Sequence, residues 1–93
     1  MSLGGSGRDA MPIRTLSAAQ VRKRIIDKAA ELAGKDPNYF EALLGPVEPT
    51  EIPTGQLLSA WRLAFYHGSP RDTAVIERAV TKVFRVNPMI KSG

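Results

Sequence analysis

The chain has 93 residues with a formal net charge of +4, and 43% of its residues are hydrophobic. That length and composition describe one globular domain with a modest core, and they argue against disorder along the whole chain. Cysteine is absent and His67 is the only histidine. This excludes a disulfide framework, a cysteine nucleophile and a histidine–cysteine zinc site within one chain.

Residues 1–14 hold three glycines and two serines and little that could be buried. A flexible tail is expected there, followed by a single helical domain over 15–93. Met1 to Ala10 lacks the apolar centre of a signal peptide. The longest mostly apolar run, Leu57 to Tyr66, is interrupted by Arg62 and is too short to span a bilayer. A cytoplasmic protein with no membrane partner is expected.

The first helix begins at Ser17, an N-cap with Gln20 three residues on, the spacing of a capping box. Val21, Ile25, Ala29 and Leu32 recur at helical spacing, and Gly34 supplies the left-handed residue that ends a helix. A short second helix follows, capped by Asp36, with Pro37 in its first turn and Gly45-Pro46 as its stop. Pro46, Pro49 and Pro53 then mark an extended acidic linker carrying Glu48 and Glu51.

A third helix is expected from about Gly55 to His67, apolar around nearly its whole circumference. Leu58, Leu63, Phe65 and Tyr66 cannot all face one neighbour, so this helix is either central in the core or part of an interface. After a turn at His67, Gly68 and Ser69, the fourth helix starts with Ser69 as cap and Pro70 in its first position. Ile76, Ala79, Val80, Val83 and Phe84 form its apolar stripe, and Asn87-Pro88 closes it. The expected fold is therefore all-α: a compact bundle of about four short helices, the last two forming a hairpin.

Catalytic signatures are lacking. His67 and Ser69 both lie in a helix-linking turn, where His67 can bond helix-end carbonyls and Ser69 caps the next helix. Gly34-Lys35 resembles the end of a phosphate loop, but Ala29 stands where the motif needs glycine and Asp36 where it needs Ser or Thr. Glu48 and Glu51 lie on an exposed stretch with nothing to desolvate them. Neither an enzyme nor a cofactor or small-molecule substrate is expected.

Charge is unevenly spread. The segment from Lys35 to Pro53 is acidic, whereas the fourth helix carries Arg71, Arg78, Lys82 and Arg85 on one side, because seven residues nearly close two helical turns. Such a stripe suits phosphates, although any amphipathic helix must put its charges opposite its core. The sequence points to a small non-catalytic interaction or assembly module that joins a protein partner or a second copy of itself, with Leu58, Leu63, Phe65 and Tyr66 as its interface. The alternative is nucleic-acid binding, helix-turn-helix-like or non-specific, through Arg71, Arg78, Lys82 and Arg85.

Overall fold

A computed structural model describes residues 15–50 and 58–91. The expected tail over 1–14, and Glu51, Pro53 and Gly55, lie outside the described residues. The elements run α1 (Ala18–Ala33), α2 (Pro37–Glu41), β1 (Val47–Pro49), β2 (Leu58–Leu63), α3 (Pro70–Val86) and β3 (Met89–Lys91). The three strands form one antiparallel sheet in the order β1-β2-β3.

The helices start and stop where their caps dictate. Ser17 and Gln20 make a reciprocal capping box at α1, and Gly34 ends it at φ 67°. Asp36 accepts from the Asn38 N–H at α2. At α3 the box is Ser69 with Asp72, and Pro70 takes the first turn.

The all-α bundle and its terminal hairpin are corrected by the sheet. Residues 58–63, expected in the third helix, form its central strand. Part of the expected linker is β1, and the residues after Asn87-Pro88 are β3. The physical reason lies in how the apolar run is covered. Ser59 and Trp61 are buried while Leu58 and Arg62 are exposed, which is a period of two. The run is rich in Leu and Ala, which favour helix, but packing on both strand neighbours and on the helices outweighs that preference.

Backbone hydrogen bonds continue the β1–β2 pairing beyond the regular strands. Thr50 N–H donates to the Ala60 carbonyl, Ala64 to Pro46, Gly45 to Phe65 and His67 to Leu43. The turn residues on both sides of the sheet thus have the partners that a buried backbone requires. Leu16 makes a parallel bridge to Ile90, which ties the start of α1 to β3.

The core lies between the two layers. α1 packs on α2, on α3, and on β1 and β3. Val21, Ile25, Phe40, Ile76 and Ile90 are the largest fully buried side chains. Trp61 closes the core from β2: its Nε1–H donates to the Asn87 carbonyl at 2.6 Å, and its ring meets Phe84 edge-on at 5.3 Å. Among the described residues no helix is long and apolar enough to cross a membrane.

Candidate anion-binding face

The outer side of α3 is set by what its inner side must do. Ile76, Ala79 and Val83 are buried against the core, so the opposite arc of the helix faces solvent. Arg71, Arg78, Lys82 and Arg85 all stand exposed on that arc. At 3.6 residues per turn they fall within about 60° of one another and span roughly 21 Å along the axis. A shallow hollow of about 390 Å³ on this face is lined by Arg78, Lys82, Arg85 and Glu77.

What happens to the acids decides the character of the face. α3 carries two, and each accepts a hydrogen bond from a tyrosine outside the helix, Tyr39 on α2 and Tyr66 in the segment after β2. Glu77 accepts from the Tyr66 hydroxyl at 2.6 Å. Asp72 accepts from the Tyr39 hydroxyl at 2.7 Å and from the Ser69 N–H at 3.2 Å. The Tyr39 hydrogen bond is the main cause that holds the Asp72 carboxyl below its ordinary value; the Ser69 bonds and nearby Lys35 add to it, against a smaller opposing effect of burial. Both tyrosines are raised above their ordinary value, first by these hydrogen bonds to carboxylates.

The remaining basic residues divide into those the fold uses and those it does not. Arg22 is structural: its guanidinium donates to the carbonyls of Glu41, Leu44 and Gly45 at 2.8–2.9 Å and so caps the end of α2. Arg62 pairs with Glu48 across β1 and β2, Lys23 with Asp27, and Lys28 with Glu31. Lys35 lies over the Tyr39 ring, 4.3 Å from its centroid. Among the described residues, Arg71, Arg78, Lys82 and Arg85 make no ion pair, and neither does Arg24 on α1.

The four candidate interface residues are not brought together. Leu58 is exposed on the sheet face shared by Arg62, whereas Leu63 lies on the opposite face and packs against the core. Tyr66 also packs against the core, with its hydroxyl spent on Glu77. Phe65 is 57% exposed, its ring lying on Gly45, where an added Cβ would sit 2.7 Å from the ring carbons. A helix-turn-helix is ruled out as the arrangement of 58–86, because a strand precedes α3. Two features had no clear sequence signal, namely the tyrosine partners of Asp72 and Glu77 and the clamp formed by Arg22.

A second concavity runs along α1 beside the last turns of α3. It encloses about 620 Å³ and includes Arg24, Lys82, Leu16, Val83 and Val86 in its lining. Among the described residues no cluster of His, Asp or Glu could hold a metal ion. Comparisons of the chain with models of protein families, with curated proteins and with solved structures find no match.

Proposed function

We propose that this protein binds nucleic acid through the outer face of α3, by contacts to the phosphate backbone. One observation carries the proposal: four cations share an exposed arc without an acidic partner among the described residues, while both acids of the same helix are engaged by tyrosines. Exposed cations of this kind gain little from one another, but each can displace a condensed counterion from a phosphate. The helix itself explains only part of the stripe. Arg85 suits the negative end of the dipole, whereas Arg71 stands in the first turn, where the dipole disfavours a cation and Asp72 is the acid beside it. Phosphate contacts set affinity and register and carry no base information, so binding is sequence-tolerant. A cytoplasmic location goes with this role.

Fluorescence anisotropy with labelled mixed-sequence DNA and RNA tests the proposal. The parent chain binds, and Arg78→Glu with Arg85→Glu weakens binding by more than about tenfold, because two contacts become repulsions. Equal binding by parent and double variant refutes it.

An interaction or assembly module is the second reading, favoured by the exposure of Phe65, the most exposed aromatic ring of the described residues. If Phe65 is a contact to a second copy, sedimentation shows an associating parent and a monomeric Phe65→Ser variant.

A further inference from the structure

We propose that the groove between α1 and the last turns of α3 docks an acidic amphipathic helix of a partner protein. The proposal does not depend on the nucleic-acid reading and rests on a neighbouring surface that shares Lys82 with it. The groove follows α1 from Gln20 to Glu31, a run of about 17 Å at 1.5 Å per residue, which is the length of a three-turn helix. Its lining is apolar in one strip and charged in another. Leu16 and Val83 are buried beneath it, and Val86 is 73% exposed, more than any other large apolar side chain of the described residues.

The charges of the lining select the partner. Asp27 and Glu31 are already neutralised within α1, by Lys23 at 3.3 Å and Lys28 at 3.1 Å. Arg24 and Lys82 stand in the same groove, from different helices, with no acidic partner among the described residues. A ligand that satisfies this lining brings carboxylates to Arg24 and Lys82 and lays an apolar side chain on Val83 and Val86. An amphipathic helix does both, with apolar anchors three and four residues apart and acids flanking them. A phosphate backbone fits less well. It has no apolar strip to offer Val86 and would leave that side chain uncovered.

Lys82 belongs to both surfaces, since it lines the groove and the outer hollow. A docked acidic helix therefore removes one cation from the α3 stripe.

The test titrates the ¹⁵N-labelled full chain with a synthetic three-turn peptide, leucine on one face and glutamate beside it, against a scrambled peptide of the same composition. The expected result is saturable shifts clustered on residues 20–31 and 82–87. Val86→Asp and Arg24→Glu each weaken binding by at least about tenfold, as for anchor residues of an interface, while Arg78→Glu leaves it unchanged. Both substituted side chains are exposed, so an unchanged spectrum of each variant verifies its fold. Absence of saturable binding, equal binding of the scrambled peptide, shifts confined to the outer face of α3, or indifference to both variants overturns the proposal. A parallel titration with duplex DNA reads the other surface, so each site succeeds or fails by its own result.

Discussion

Asp72 joins three parts of the chain at one carboxylate. It caps its own helix through Ser69, accepts from the Tyr39 hydroxyl of α2, and packs beneath Gly68, where a Cβ would lie 2.8 Å from its own. Because its folded pKa is depressed, it contributes stability in full above its ordinary value of 3.8, and that contribution is lost as pH falls through the lower folded value. Tyr39→Phe removes the largest cause of the depression. The Asp72 carboxyl then titrates closer to its ordinary value, and acid unfolding of the variant begins at higher pH; a ¹³C carboxyl titration and acid melts read both. Tyr39 and Tyr66 act in the opposite range. Their stabilising hydrogen bonds are complete below the ordinary value of 10.0 and are lost as pH rises through the raised folded values. Gly68 has φ 136°, a conformation side chains rarely adopt, so Gly68→Ala costs about 1–3 kcal/mol in urea denaturation. A loss near zero would show that the turn is not held as described.

At the scale of the element, β2 organises the fold through Trp61. The ring is buried, pairs through its strand with Pro49 of β1, and reaches the end of α3 through the Asn87 carbonyl. Trp61→Ala removes these links together and is expected to cost about 3–5 kcal/mol. That is a large part of the roughly 5–15 kcal/mol typical of such domains, so the variant is expected to be close to unfolded at 37 °C. Denaturation by urea followed by circular dichroism measures it, and a loss below about 1 kcal/mol would place the indole outside the core. The same strand explains what the sequence concealed. Capping residues act within a few positions of themselves, so Ser17, Gly34, Asp36 and Ser69 could be read directly as helix ends. β2 depends on partners distant in the chain: Leu63 pairs with Val47, Ser59 with Ile90. Its run of Leu, Ala and Trp carries apolar residues at both parities, and only the burial of Ser59 and the exposure of Leu58 expose the two-residue period. β3 has three residues, too few for a periodic signal.

At the scale of the whole molecule, the positive charge is sorted rather than spread. Arg22 and Arg62 serve the fold, and Lys23 and Lys28 of α1 are offset locally, so the cations of the described residues that make no ion pair are the four on the outer side of α3, with Arg24, Lys35 and Lys91. The stripe of Arg71, Arg78, Lys82 and Arg85 was legible in the sequence because it depends only on spacing within one helix. The hydrogen-bond partners of Asp72 and Glu77 were not, because they come from α2 and from the segment after β2. On the proposed reading, binding of a polyanion would depend on ionic strength, with each neutralised phosphate releasing counterions.

The salt dependence of duplex binding tests this most directly. For a stripe that neutralises four phosphates, affinity of the parent chain for mixed-sequence duplex DNA falls by roughly a hundredfold when the salt concentration is raised fourfold. An affinity that does not change with salt, or no binding at low salt, contradicts the proposal that α3 binds nucleic acid.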